Sequence, residues 1–410
     1  MGINEREQKA ILSILSSALF GNALELSDDL DWDALFQESI AQAVFPLVFD
    51  TVRDRLPGDV KRKWESRFLQ NTATNIRVNA AHSELHKLLT KNAVSYVTLK
   101  GVASALYYPH PELRTMGDVD FLVDPHELER CGELLEKQGM IRIDDGSHPY
   151  HRSYTFHSIE YEMHWTPPGI PNISGEAIRD CCENMIEKAA CVSAPMGELW
   201  VPSDFHHGLV LLLHTAGHMT SNGIGLRHLC DWAVFVNHFS DKEFCAMFEK
   251  TLQEIGLRKF ANILTSIGTK YIAAPKKLWA EDEDEELVEW LFADIWASGN
   301  LGSKDSGRQG YTAILYENYI DNIKDRGLMY SIASLINRKG KEFYPRLTQY
   351  PVLLPLGWFG ALGRYSKMIL SGRKVPIKPG KEYKNAMKRR KVYQNLKLFE
   401  NNADEEQNGR

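Results

Sequence analysis

The chain has 410 residues, 43% of them hydrophobic and 25% charged, with a formal net charge of -6. Those are the proportions of an ordinary globular protein with room for two or three domains. The charge excludes an overall attraction to nucleic acid or to anionic lipid. Along the chain, residues 3–90 predict helix, with Ile11, Ile14, Leu15, Ala18 and Leu19 at helical spacing. Ser27, Asp28 and Asp29 can cap a helix carrying Trp32, Leu35 and Phe36. Val94–Leu99 is β-rich, Lys100-Gly101 breaks it, and Val102–Tyr108 suits a short helix. Asp118–Val123 predicts a buried strand, and Asp124-Pro125 opens a helix that Gly139 stops. Met140–Ile143 and Tyr154–Trp165 predict further strands, giving a small mixed unit with a strand core. From residue 203 to 340 the pattern returns to helix, including His206–His218 and Leu226–Phe239.

The acidic run Glu281–Glu286 is most simply a solvated helix start or loop, and the Gly/Ser-rich Gly299–Gly310 a flexible loop. The tail from Gly363 to Lys397 has twelve Lys/Arg and one acid, Glu382, after the apolar, aromatic segment Tyr350–Leu362. Such a pairing suits weak contact with an anionic membrane or RNA. The simpler expectation is a helix packed on the core, followed by a loose basic end. The cysteines at 131, 181, 182, 191, 230 and 245 form no CxxC pair and are expected to be reduced, structural thiols. The N-terminus has no apolar stretch of a signal peptide, Arg6 breaks a myristoylation motif at Gly2, and no long apolar run predicts a spanning helix. A soluble, cytoplasmic protein with no obligate partner is expected.

The segment Tyr96–Pro125 carries the chemistry. Asp118 and Asp120 are two apart in a strand, so both carboxylates share a face while Val119 and Phe121 point into a core. Two crowded carboxylates repel, and Mg²⁺ relieves that repulsion while accepting phosphate oxygens and water as further ligands. Upstream, Gly101 removes side-chain bulk where a backbone amide can approach a phosphate. Lys100 and Arg114 add cations near a triphosphate, with Arg114 suited to a bidentate contact. Gly117 is expected to let the chain turn tightly into the strand.

LKG…LRTMGDVDFLV resembles the nucleotidyltransferase superfamily of the polymerase-β type. It is more closely similar to an uncharacterised bacterial nucleotidyltransferase family with an LKG…R…DxD pattern, and the R-x-x-x-D-x-D spacing is similar also to AbiEii-type toxin nucleotidyltransferases. YEMHW and GLRHLCDW extend the resemblance over roughly residues 30–290. The resemblance implies an α+β fold, with a mixed-sheet nucleotidyltransferase domain at 91–200. Helical regions flank it at 1–90 and 201–345, and the apolar segment and basic tail occupy 346–410. It implies transfer of a nucleoside monophosphate from an NTP, ATP among the candidates, to an acceptor hydroxyl, with two Mg²⁺ ions and release of pyrophosphate. The acceptor is left open among a small molecule, tRNA and protein. A catalytically degenerate nucleotide-binding or interaction protein that keeps the fold is the alternative. Where the superfamily has Gly-Ser at the first turn, this chain has Lys100-Gly101, the form of the closer family.

A third carboxylate is implied on Ser158–Trp165, where Glu160, Glu162 and His164 share a face. Glu162, at the head of E-x-H-W, is the first choice and Glu160 the second; His164 would orient the acceptor or a carboxylate. Arg227 and Asp231 are four apart on a helix, which predicts an ion pair, and the GLRHLCDW resemblance places them beside the cleft for base or acceptor binding. His206, His207, His214 and His218 share a predicted helix. The segment HTAGH lacks the glutamate of HExxH, so core or acceptor-site histidines are expected rather than zinc ligands.

Overall fold

The computed structural model describes residues 4–144, 150–170, 175–194, 196–280, 284–305, 328–344, 351–370, 389 and 395–399. Residues 281–283 of the acidic run, the part of the expected Gly-rich loop beyond 305, and most of the basic tail lie outside them.

Four helices open the chain: α1 (Glu5–Phe20), α2 (Trp32–Ala41), α3 (Phe45–Val52) and α4 (Gly58–Lys91). The apolar spacing in α1 buries Ile11, Ile14 and Leu15, and Gly21 ends the helix at φ 70°, a left-handed conformation that suits glycine. The cap of α2 is Asp31, whose carboxylate accepts from Ala34 N at 2.9 Å, and not the earlier Ser27–Asp29 cluster.

The central sheet runs β1 (Tyr96–Thr98), β2 (Val119–Val123), β5 (Ile159–His164), β4 (His151–Phe156), β3 (Ile141–Arg142) in spatial order. Strands β2 and β5 are parallel and the other neighbours antiparallel, so the sheet is mixed and the fold is α+β. The short α5 (Gly101–Ala105) follows β1, and α6 (Leu128–Lys137) follows β2. The strand expected over Tyr154–Trp165 is a hairpin instead. His157 and Ser158 both take positive φ, 48° and 63°, the backbone of a two-residue hairpin turn, and neither residue advertises that conformation as Gly or Asn does. A second hairpin, β6 (Ala190–Ala194) and β7 (Gly197–Val201), was not foreseen at all. Between the hairpins lies α7 (Gly175–Cys181).

The C-terminal helices are α8 (Asp204–Thr220), α9 (Leu226–Asn237), α10 (Asp241–Glu254), α11 (Arg258–Ile272) and α12 (Glu285–Ser298). Asp284 caps α12 and Glu285 and Glu286 fill its first turn, the solvated helix start expected of the acidic run. One core cluster joins Ile11, Phe45 and Trp64 of the first helices to Leu212, Trp232 and Phe260 of the later ones, so the two helical regions are buried together. A second core lies against the sheet, where Val119, Phe121 and Val123 meet Leu85 of α4 and Leu135 of α6.

Two further helices, α13 (Leu328–Phe343) and α14 (Leu354–Leu370), pack on each other. The apolar segment is therefore in a helix, but no described residue of that pair joins either core cluster. Nor is the basic end loose where it is described. Arg389 is buried against Asp294 (3.2 Å) and Asp305 (2.7 Å), and Leu396, Leu398 and Phe399 join the helical core. Among the described residues, no helix is long and apolar enough to cross a membrane. All six cysteines are free; Cys131, Cys182 and Cys230 are buried.

Candidate active site

A cavity of about 320 Å³ lies between the sheet and helices α8 and α9. All ten residues singled out above line it: Lys100, Gly101, Arg114, Gly117, Asp118, Asp120, Glu162, His164, Arg227 and Asp231. Glu160 does not; it is exposed.

The sheet supplies the acidic wall. Parallel pairing places Asp120 opposite Glu162 and Leu122 opposite His164, so the side chains of Asp120 and Glu162 are neighbours on one face. Asp118 sits one residue before β2 and is exposed, whereas Asp120 is 3% exposed. Two nitrogens meet Asp120 Oδ1: Lys100 Nζ at 3.0 Å and His164 Nε2 at 3.1 Å. His164 Nε2 is also 3.3 Å from Glu162 Oε2. Burial would push the Glu162 carboxyl up, but the hydrogen bond from His164 and the charge of Lys100 hold it down at about 2. Burial pulls His164 and Lys100 down, and their carboxylate partners outweigh it, so both are raised.

Lys100 reaches Asp120 because the turn after β1 is left-handed at two residues, Lys100 (φ 48°) and Gly101 (φ 42°). At Gly101 the backbone angle requires glycine, since a Cβ there would meet only Asp118 O at 4.0 Å. The expectation for Gly117 is corrected: its φ is not left-handed and a Cβ would meet nothing within 4 Å. It leaves open space at the acidic wall and does not make a tight turn.

The helical wall also corrects the sequence. Arg114 offers its fork to a protein carboxylate, not to open space. Its Nε donates to Asp231 Oδ1 and its Nη2 to Asp231 Oδ2, each at 2.7 Å, and Tyr108 OH donates to Oδ1 at 2.7 Å. Asp231 is consequently held below the usual carboxylate range against its burial. The expected Arg227–Asp231 pair does not form, because Asp231 points across the cavity to Arg114. Arg227 makes no ion pair among the described residues, its Nε has no hydrogen-bond partner, and burial together with Arg114 lowers its pKa.

Several positioning residues carried no signal in the sequence. Asn75 of α4 donates to the carbonyls of Glu112 (2.8 Å) and Arg114 (2.9 Å) and accepts from Met116 N (3.2 Å), fixing the loop that presents Arg114. Gln42 Oε1 accepts from Leu226 N at 2.9 Å, capping the helix that carries Arg227. Of the four histidines on α8, His214 and His218 line the cavity, together with His228 of α9. Their Nε2 atoms, His214 to His218, are 2.7 Å apart, and Lys100 Nζ is 3.1 Å from His214 Nε2. Burial pushes His214 and His228 well below the usual range and His218 to about 4, so this wall is neutral imidazole. His206 and His207 lie elsewhere; His207 stacks on Tyr107 and burial lowers it to about 3.

Among the described residues, the groups that could hold a metal ion by proximity are those of His151, Glu162 and His164. Asp118, Asp120 and Glu162 offer carboxylate oxygens along one wall, and ligand atoms of His151, Glu162 and His164 lie within 4.8 Å of one another.

The mixed sheet with its carboxylate-bearing strand, packed on helices, is a nucleotidyltransferase-like fold. A family described as uncharacterised nucleotidyltransferase matches residues 28–270, more than half of the chain, and the chain belongs to that family. Among solved structures it is similar to an antigenic nucleotidyltransferase-like protein from Paracoccidioides brasiliensis, at 12% identity and a TM-score of 0.30, over 50% of this chain and 95% of that one. A tRNA-processing enzyme in an apo form aligns at 13% identity and a TM-score of 0.24, over 78% of this chain and 98% of that one. No curated protein matches.

Proposed function

We propose that the protein transfers a nucleoside monophosphate from an NTP to an acceptor hydroxyl. The hydroxyl oxygen bonds to the α-phosphorus, the bond from that phosphorus to the β-phosphate oxygen breaks, and pyrophosphate leaves. The observation that carries the reading is Asp120 beside Glu162 in strand register, next to Asp118, in a cavity that also holds Arg227, which has no ion-pair partner among the described residues. Asp118, Asp120 and Glu162 would hold the divalent cations, for which we propose two Mg²⁺. When bound, such ions polarise the triphosphate and lower the pKa of the attacking hydroxyl.

The remaining roles follow from the side chains. Glu162 stays ionised at any physiological pH, which suits it to ligation; a carboxyl held that low is a weak base, so the hydroxyl proton passes to solvent. His164 holds Asp120 and Glu162 in place through one nitrogen. Lys100 and Arg227 face the phosphates; Arg227 is the stronger anchor, because no carboxylate competes for it among the described residues. Arg114 acts through Asp231 as a positioning residue. The neutral imidazoles of His214, His218 and His228 suit hydrogen bonding to an uncharged acceptor group, which leaves a small molecule, a tRNA end and a protein side chain as candidates. Free thiols suit the cytoplasm, where we place the protein.

The test is incubation with α-labelled NTPs, Mg²⁺ and cell extract. Labelled product is expected from the native chain and none from the Asp118→Ala, Asp120→Ala double variant; equal labelling by both sinks the reading. A second reading, a nucleotide-binding protein without catalysis, is favoured by one observation: Lys100 and His164 already occupy Asp120 Oδ1. Calorimetry separates the two, since NTP binding indifferent to divalent cations supports the second.

A further inference from the structure

Helices α13 and α14 form a built unit. Gly340 lies close against the backbone of Gly357, and a Cβ at Gly360 would overlap the ring of Tyr344, so the two helices approach closely at these glycines. Trp358 Nε1 donates to Asn337 Oδ1 at 3.0 Å, and the Arg364 guanidinium lies 4.6 Å from the Phe343 ring centroid. Among the described residues, part of what this pair turns outward is apolar. Val352, Leu356 and Phe359 succeed one another at helical spacing and are 89%, 61% and 73% exposed. Leu353 and Leu362 flank that stripe, and Leu370 is exposed at its far end. Exposed apolar residues of the long helix α4, Leu69 and Ile76, stand singly by comparison. A contiguous apolar stripe on a water-facing helix marks a surface that something covers.

We propose that this hairpin docks on an anionic lipid membrane. Charge complementarity identifies the partner. Arg364 and Lys367 stand on α14, and Arg373, Lys374, Lys378, Lys381 and Lys384 follow within a short stretch whose one acid is Glu382, in a chain whose net charge is -6. Apolar side chains beside clustered cations are what an interface of acyl chains and acidic headgroups rewards. The stripe is mostly aliphatic, and aliphatic side chains gain little from RNA, whose bases stack on aromatic rings and arginine. The docking is peripheral, since no described helix can span a bilayer. It stands independently of the reaction proposed above.

The test is co-sedimentation of the full chain with phosphatidylcholine vesicles and with vesicles that also contain phosphatidylglycerol, at low and high salt. Pelleting is expected with the anionic vesicles alone and weakens with salt. Leu356→Asp with Phe359→Asp should lower the bound fraction at least about tenfold, while Leu69→Asp with Ile76→Asp leaves it unchanged, both pairs having native melting curves. Four results overturn the proposal: no pelleting of the native chain, equal pelleting of the hairpin variant, retention on RNA without retention on vesicles, or a stripe-dependent increase in mass in solution that shows a second copy to be the occupant.

Discussion

The two walls of the cavity each hold a carboxylate bound to cations, and they differ in what is left over. On the sheet wall, Lys100 pairs with Asp120, His164 meets both Asp120 and Glu162, and Asp118 remains exposed beside them. On the helical wall, Arg114 and Asp231 satisfy each other in a closed bidentate pair, and Arg227 has no carboxylate partner among the described residues. One wall thus keeps spare negative charge and the other spare positive charge. A metal-bound triphosphate is a ligand that supplies both complements. The contrast also separates residues that hold the cavity together from residues that would meet a substrate.

The largest effect should come from the sheet wall. Asp118→Ala with Asp120→Ala is expected to lower nucleotidyl transfer by at least about 10³-fold and, because Lys100 is then buried without its carboxylate, to cost about 3–5 kcal/mol of stability. Labelled-product yield and melting temperature, measured together, check both halves.

Next comes the pair of substitutions that would break the comparison of walls. Asp231→Ala leaves Arg114 buried without a partner and should cost about 3–5 kcal/mol of stability. Arg227→Gln removes a largely buried cation with no ion-pair partner among the described residues, so the folded protein should be as stable as the native chain or more so. NTP affinity should nonetheless fall about 10- to 100-fold. Denaturant unfolding and calorimetry decide it; equal destabilisation by the two variants would mean that Arg227 is structural after all.

These two arginines show where sequence reasoning stops. Spacing on a helix is visible in a sequence, so Arg227 and Asp231 suggested each other. The partner that Asp231 takes, Arg114, is 117 residues away, and only the tertiary packing of α9 beside α5 and the loop before β2 brings it there. By contrast, the acidic wall was legible because strand alternation is local. Asp118 and Asp120 followed from period two alone; the resemblance pointed to the Glu160/Glu162/His164 strand and to Glu162 as first choice, and the β2–β5 register sets Glu162 beside Asp120. Helices with strong apolar periodicity, such as α1 and α9, were equally plain. The β4–β5 turn was hidden because His157 and Ser158 carry no turn signature, and Asn75 and Gln42 because a buried amide looks like any other polar residue on a helix.

A smaller effect concerns pH. Burial holds His207 at about 3 in the folded protein, below its ordinary value, so the unfolded chain binds a proton that the folded chain refuses. That stability is complete above about pH 6.5 and is lost as pH falls toward the folded value, at about 1.4 kcal/mol per unit. At pH 5 the native chain should therefore have lost about 2 kcal/mol more than His207→Phe, measured by urea unfolding at the two pH values. The smallest effect is expected for Glu160→Gln, with transfer and NTP affinity within about twofold of native, because its side chain lies outside the cavity wall.

Glu162 is where the central claim is most exposed, because it faces Asp120 and stays ionised. Release of pyrophosphate from an NTP, followed with the native chain and with Glu162→Gln in Mg²⁺ and cell extract, tests it directly. Stoichiometric pyrophosphate and labelled acceptor from the native chain, with both lost in the variant while its fold persists, is the predicted result. Undiminished release by the variant, or none from the native chain, would contradict it.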